Sequence, residues 1–299
     1  MRNYLSTIPA LFLFLTGFAQ QDNPEKKFSA LHFDLNYLTN SVYQGRKDSL
    51  AVPYLSPGIR YTAASGFYAS ATANFLTTES RLDALMFDAG YEFSKGNFDG
   101  GVGANAYVYN PQSVNVRAET STSLSGYAGY YFPVVSPGVN AAVSLGTATD
   151  YTAGFSLEHS FSTKDETFSF TPGAYLNAGT QNYYNEYYRE RRYANSTSGR
   201  GRGGSRKNSG SSAASSVTAQ TQQSSQFKVL DYEFHGKLEY KVKGFTFNLI
   251  PQVAIPQNPS TVVITTRGSN GSTTTQTVRE KISNSFYCAV GVSYQLKLK

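Results

Sequence analysis

"ISNSFYCAVGVSYQLKLK", residues 282–299, decides how the rest of the chain is read. Ile282, Phe286, Cys288, Val290, Val292, Tyr294, Leu296 and Leu298 fall on one side of an extended chain, with Asn284 the one polar exception. Ser283, Ser285, Tyr287, Ala289, Gly291, Ser293, Gln295 and Lys297 fall on the other. Successive side chains of a strand point to opposite faces, so this alternation specifies a single strand with unlike faces. It runs well beyond the roughly five or six residues usual in globular sheets.

Working outward, the same alternation recurs upstream. Leu31, Phe33, Leu35 and Tyr37 oppose His32, Asp34 and Asn36, and Phe67, Ala69, Ala71, Ala73 and Phe75 oppose Tyr68, Ser70, Thr72 and Asn74. Twelve strands are expected near 28–43, 52–64, 67–77, 82–93, 98–110, 120–132, 138–146, 151–162, 167–187, 227–240, 245–256 and 282–298. The connections sort by parity. "SG" at 65–66, "SKGN" at 94–97, "PVVSP" at 133–137, "STKDE" at 162–166 and "KVKG" at 241–244 are tight, whereas 111–119, 188–226 and 257–281 are long. An even strand count with short turns on one side and long loops on the other describes an all-β fold, a transmembrane antiparallel up-and-down β-barrel of about twelve strands. A soluble sandwich alternates too, but nothing in it sorts loop length by side.

The two faces support that reading. Asp99, Gly101, Gly103, Asn105 and Tyr107 share one side of their strand, and Ser123, Ser125, Tyr127 and Gly129 share one side of the next. Such polar or small residues suit a lumen rather than a core. Tyr37, Tyr61, Tyr91, Tyr151 and Tyr240 lie near strand ends and can form interfacial girdles in a chain without tryptophan. Prolines in "LSPGIRY", "VSPGVN", "FTPGAY" and "LIPQVA" predict bulges or rim positions, because proline cannot donate to the ladder.

The start of the chain reads as an export signal. Arg2 precedes an apolar stretch from Ile8 to Phe18 and small residues ending at Ala19. That is the three-part form of a secretory signal peptide, expected over 1–19 and followed by a short periplasmic segment over 20–27. The mature barrel is then 28–299, with long extracellular loops at 188–226 and 257–281. The single Cys288 excludes an internal disulfide framework.

The charge is equally localised. Arg189, Arg191, Arg192, Arg200, Arg202, Arg206 and Lys207 surround the single acid Glu190, a net +6 that equals the charge of the whole chain. Outside this run, 19 basic and 19 acidic residues cancel (26 − 7 and 20 − 1). The high isoelectric point therefore belongs to one loop, rich in Gly and Ser, and no nucleic acid is expected as partner. The segment reads as a flexible surface loop, either a passive tether or a site for anionic lipid and lipopolysaccharide.

The signal region, the strand pattern and the ending "GVSYQL" together resemble the outer-membrane β-barrels of Gram-negative bacteria. The phrase "AGTQNYYNEYY", residues 178–188, looks like uncharacterised barrels of the Bacteroidota. The resemblance implies a bacterial outer-membrane location and recognition of the last strand by the barrel-assembly machinery. Gly291, Tyr294 and Leu296 match that signal, although Lys299 stands where the class usually carries an aromatic residue.

The sharpest charged constellation is Asp231, Glu233, His235, Lys237 and Glu239, at every second residue of one strand. A basic residue facing lipid at the midplane costs roughly 2–4 kcal/mol, so the stripe must face the lumen, joined by Asp34, Arg60, Asp88 and Glu92. It can act as a selective constriction or as an internally paired network that plugs the barrel. No metal-ligand spacing and no cofactor motif is found. A Ser169–His235–Asp231 triad could assemble inside, but serines and acids line any polar lumen, and no enzyme is expected. The leading expectation is a narrow passive channel for small polar solutes. The alternative is a closed structural or docking barrel whose loops bind an outer-membrane protein partner.

Overall fold

The protein is described here by a computed structural model covering residues 28–47, 51–113, 115, 120–186, 214–268 and 270–298. The expected signal peptide, the 20–27 segment and the basic residues Arg189 to Lys207 lie outside the described residues.

In chain order the elements are β1 (Ala30–Leu38), β2 (Val42–Tyr43), β3 (Arg46–Lys47), β4 (Tyr54–Thr62), β5 (Phe67–Leu76) and β6 (Arg81–Lys95). Next come β7 (Phe98–Tyr109), β8 (Thr120–Tyr130), β9 (Ser136–Gly146), β10 (Asp150–Glu158), β11 (Phe161–Ser162) and β12 (Phe168–Gly179). The short helix α1 (Asn182–Glu186) precedes β13 (Ala214–Gln222), β14 (Lys228–Val242), β15 (Phe245–Pro256), β16 (Thr261–Gly268), β17 (Thr273–Arg279) and β18 (Ser285–Lys297).

Twelve of these strands form a closed antiparallel barrel in chain order: β1, β4 to β10, β12, β14, β15 and β18. Pairing of β10 with β12 and of β18 with β1 closes the ring, and Phe33 sits opposite both Tyr294 and Ile59. All twelve expected strands are present. β2 and β3 form a separate hairpin, and β13, β16 and β17 form a three-stranded sheet. Both lie in connections at the end of the barrel that carries the long loops, hereafter the loop end. The opposite, turn end carries tight connections such as Lys243–Gly244.

The exterior is apolar along the whole wall. Val102 (64% exposed), Phe234 (49%), Phe247 (46%) and Phe286 (70%) point outward with many more large side chains. An uninterrupted apolar belt of this extent is far larger than the patches a soluble monomer exposes. Aromatic rings crowd the turn end, where Phe67 meets Tyr91 at 5.0 Å, Tyr130 meets Phe132 at 4.6 Å and Phe245 meets Tyr294 at 4.8 Å.

Four expectations are corrected. The first strand ends at Leu38 rather than 43, because the chain turns inward after Thr39 and spends Val42–Lys47 on the hairpin. The ninth expected strand ends at Gly179, where Asp150 accepts from the backbone N–H groups of Asn182 (2.6 Å) and Tyr183 (2.8 Å) and starts α1 instead. The segments 188–226 and 257–281 are not bare loops, since they contain β13, β16 and β17. Finally, the barrel's register shifts fall at Asn74/Phe75, Thr120/Thr122 and Asn177/Ala178, so the prolines mark no bulge, although Pro137, second residue of β9, does lie at the rim. At Pro57 and Pro251 one ladder is interrupted but resumes in register, from Leu55↔Phe75 to Gly58↔Thr72 and from His235↔Gln252 to Leu238↔Leu249. A proline removes a donor without adding a residue, so hydrogen bonds are lost while the count is kept.

Candidate functional site

The interior is lined by the polar face of every strand. On β14, Asp231, Glu233, His235, Lys237 and Glu239 are all buried, while the alternate residues Tyr232, Phe234 and Tyr240 face out. Register with β12 fixes their neighbours. Asp231 lies opposite Asn177, Glu233 opposite Tyr175, His235 opposite Gly173, Lys237 opposite Thr171 and Glu239 opposite Ser169. Asn177 Nδ2 donates to Asp231 at 2.6 Å, and Lys237 Nζ stands 3.1 Å from Glu239. Tyr175 Oη donates to the Glu158 carboxylate of β10, from which His235 Nε2 is 3.6 Å away.

Gly173 makes that last contact feasible. The imidazole edge occupies the space beside the bare Cα, and a Cβ there would stand 2.6 Å from His235 Cε1 and 2.8 Å from Nε2. The triad considered from sequence does not form. Ser169 is opposite Glu239, two inward positions from the row of His235, whose partner is Glu158, while Asp231 is bound to Asn177.

A second charged sector lies on β1, β4, β5 and β6. Arg60 Nη2 pairs with Glu92 at 2.8 Å, and the guanidinium lies over the Tyr68 ring, 3.9 Å from its centroid. Tyr68 Oη donates to Asp88 at 3.3 Å. His32 lies opposite Arg60 and is buried; Asp34 follows on the same inward face, half-buried and opposite Gly58. Sequence reasoning placed these residues in the lumen but left Glu158, Tyr175, Tyr68 and His32 out of the charged set. Glu158 was accessible to it, since Thr152, Gly154, Ser156 and Glu158 alternate with Tyr151, Phe155 and Leu157.

Apart from Asp83, Asp150 and Arg46, which are taken up by contacts at the loop end, eight inward carboxylates (Asp34, Asp88, Glu92, Asp99, Glu158, Asp231, Glu233 and Glu239) face two inward cations, Arg60 and Lys237. Each cation already has a carboxylate beside it, so six acids remain in excess (8 − 2) among the described residues. Carboxylates held behind a low-dielectric wall focus a negative potential along the axis.

The loop end is built differently. Leu38, Val42, Val52, Tyr54, Leu76, Ile250, Ala254, Tyr287 and Ala289 form an apolar cluster, to which Val42 and Val52 come from the connection after β1. The hairpin tip passes over β18 to reach β15 and β14, two and three strands round the ring from β1. Gly45 (φ +71°) sits so close that a Cβ would be 2.8 Å from Asp231 Cβ and 3.0 Å from Pro256 Cα. Next to it, Arg46 is 3% exposed; its Nη2 donates to the carbonyls of Asn258 (2.9 Å) and Gln257 (3.4 Å), and its Nε stands 3.4 Å from Glu280. In the amide orientation that suits its surroundings, Gln181 accepts from all three guanidinium nitrogens at 2.6, 2.9 and 3.2 Å. Tyr184 offers its ring 5.5 Å from the guanidinium and donates to Glu280 at 2.6 Å.

The sheet of β13, β16 and β17 closes over this hub. Ala219 and Val262 pack with Tyr183 and Tyr184, and Tyr183 donates to Gln44 at 3.2 Å. From the opposite side, Asp83 accepts from Tyr54 (2.5 Å), Ser113 (2.7 Å) and Arg81 (2.8 Å), while Asn115 donates to Ser41 and to Tyr54 at 3.2 Å each. Apart from the local Arg81–Asp83 contact, these loop-end partnerships had no sequence signal, because they join residues far apart in the chain.

No protein-family model matches the chain, and no curated protein sequence matches it. Among solved structures it is similar to the NanC porin (12% identity, TM-score 0.45), over 89% of this chain and 100% of that one. It is also similar to the KdgM porin (13% identity, TM-score 0.41), over 88% of this chain and 98% of that one. A Salmonella typhi OmpF complex is more distant, at 7% identity and TM-score 0.31, over 90% of this chain and 97% of that one. The barrel assignment rests on this chain's own strand pairing.

Proposed function

We propose that this protein is a bacterial outer-membrane barrel forming a narrow passive channel for small polar solutes, with a preference for cationic ones. The observation that carries the reading is the pairing of two surfaces, a continuous apolar exterior and an interior with six carboxylates in excess of its cations. Such a surface is stable only with lipid outside and water or polar solute inside. Selectivity then follows from lumen charge, with Glu233 and Glu239 on β14 among the groups a permeating ion meets.

Other parts of the reading follow from the same architecture. The basic run Arg189–Lys207 belongs to the loop-end connection and would meet anionic headgroups or lipopolysaccharide outside the cell. Gly291, Tyr294 and Leu296 lie on β18, the last two on its outward face, where the barrel-assembly machinery could read them. The stretch 178–188 that resembles Bacteroidota barrels carries Gln181, Tyr183 and Tyr184, the residues that build the loop-end hub. Catalysis is not favoured, since His235 faces a carboxylate and a tyrosine rather than a nucleophile.

The test is ion selectivity in a planar bilayer under a salt gradient. The wild-type protein should show a cation-preferring reversal potential, and replacing Glu233→Gln with Glu239→Gln should move it toward zero. An unchanged potential would remove these residues from the pathway, and anion preference would remove the charge argument altogether. A closed docking barrel is the second reading, favoured by the loops packed across the mouth. It predicts no conductance even after those loops are cut back.

A further inference from the structure

We infer that the β2–β3 hairpin is a latch that holds the loop-end mouth shut and that Arg46 is its bolt, an inference that rests on the channel reading above. The hairpin leaves the wall beside β1 and makes its contacts over β15 and β14, two and three strands round the ring. Gly45 touches Asp231 on β14 and Pro256 on β15, and Arg46 binds the chain immediately after β15. Tyr43 packs edge-on against Tyr183, with ring centroids 5.2 Å apart, so the α1 connection is engaged as well. From the β7 side, Asn115 reaches Ser41 at the root of the hairpin. A six-residue segment thus reaches inward over the β18–β14 sector of the opening and is tied to connections on either side of it.

What lies beneath the hairpin strengthens the case. Val42 and Val52 pack on Leu38, Leu76, Ile250 and Tyr287, an apolar patch at the loop end of the adjacent strands β15, β18, β1, β4 and β5 that narrows the exit from the acidic lumen. Hydrated cations do not cross a dry apolar layer, and hydrophobic constrictions gate by wetting and dewetting. The hairpin is held by one residue with several partners rather than by many weak ones. Arg46 joins the hairpin to Gln181 before α1, to Gln257 and Asn258 before β16, and to Glu280 after β17. Those segments belong to two different loop-end connections, so one guanidinium locks hairpin, helix and sheet together. Glu280 is committed to the same junction, since it also accepts from Tyr184 and from the backbone N–H of Ser260 at 3.0 Å. Gln44 carries the lock onward by accepting from Tyr183 and donating to Tyr43 at 3.1 Å. Losing the fork would leave the hairpin attached by its apolar contacts and by single neutral hydrogen bonds at Gln44 and Ser41, without the one charged, multiply bonded junction.

The inference is tested with Arg46→Ala, Arg46→Lys, Glu280→Gln and a variant whose residues 42–47 are replaced by a Gly-Ser linker. Heat-modifiable gel migration first establishes that each has a folded barrel. In planar bilayers, Arg46→Ala should raise open probability by about tenfold or more, the consequence of removing one buried charge-assisted junction. Arg46→Lys should fall between, since it keeps the charge without the fork. A second readout does not depend on conductance. With Cys288→Ser and a reporter at Gln252→Cys inside the lumen, a membrane-impermeant thiol reagent applied to intact cells should label slowly in the latched protein. Adding Arg46→Ala should speed that labelling by a comparable factor. Equal conductance and equal labelling with and without Arg46 would overturn the latch while leaving the channel reading in place. If the linker variant folds, labels fast and still passes no current, the latch stands and the channel reading fails.

Discussion

Phe234 offers the most direct test of where this barrel resides. It sits near the middle of β14 on the outward face, 49% exposed, between the inward residues Glu233 and His235. Tyr240 is six residues further toward the turn end. At roughly 3.3 Å per residue and a tilt of about 40°, that separation is about 15 Å of depth. With about 200 Å² for a phenylalanine side chain, Phe234 presents on the order of 100 Å² to its surroundings. In lipid that area is already favourably placed, so Phe234→Ala removes part of it and costs about 1–2 kcal/mol. Phe234→Arg should then cost roughly 2–4 kcal/mol more than Phe234→Ala, as for a basic side chain at the bilayer midplane. At Tyr240 the corresponding increment of Arg over Ala should be about 0–1 kcal/mol, as expected near an interface. The measurement is a denaturant titration of the protein refolded into lipid vesicles, followed by tyrosine signal or by heat-modifiable migration, since the chain has no tryptophan. A water-exposed strand face predicts the opposite, with Phe234→Arg neutral or mildly stabilising. If Arg is tolerated equally at 234 and 240, the apolar belt does not face lipid.

Three further outcomes follow from particular contacts. Gly173→Ala places a methyl where His235 now lies, and should destabilise the barrel by about 1–3 kcal/mol in the same titration; adding His235→Ala should restore most of it, and absence of rescue would mean the clash lies elsewhere. Asp83→Ala removes the shared acceptor of Tyr54, Ser113 and Arg81, leaving buried donors unpaired; backbone exchange over Asn110–Ser113 should accelerate at least about tenfold while β14 keeps its protection, and uniform acceleration would refute a local anchoring role. In a Cys288→Ser background, Thr275→Cys on β17 should react with an impermeant thiol reagent on intact cells and Lys95→Cys at the turn end should not, whereas the reverse pattern would invert the barrel.

How much of this was legible in the sequence depends on the range of the interaction that specifies each part. The barrel strands write their own signal. An apolar exterior and a polar interior impose alternation residue by residue, so β14 could be read as Asp231, Glu233, His235, Lys237 and Glu239 against Tyr232, Phe234 and Tyr240 without knowing any neighbour. Strand ends were legible only where local chemistry marks them. Gly179 carried no mark that distinguished it from Gly173, and the run of tyrosines beyond it has strand propensity. What ends β12 is Asp150, thirty residues upstream, whose carboxylate captures two backbone donors and starts a helix turn.

The loop end shows why the remainder stayed hidden, and the reason is more general than distance alone. Arg46 lies in "YQGRKDS", a polar stretch with a glycine, and such a composition reads as an exposed turn. It is buried because three segments brought together by barrel closure supply it with four acceptor residues: Gln181, Gln257, Asn258 and Glu280. None of them lies within a hundred positions of Arg46 in sequence, and none shows the periodicity a strand would impose. The lumen stripe and the latch are thus both charged and buried, yet only the stripe is constrained by its own strand. A charge in a barrel wall is placed by local geometry and balanced by register. A charge in a loop-end junction exists only after the whole ring has closed, which is also what would let it open without disturbing a single strand of the wall.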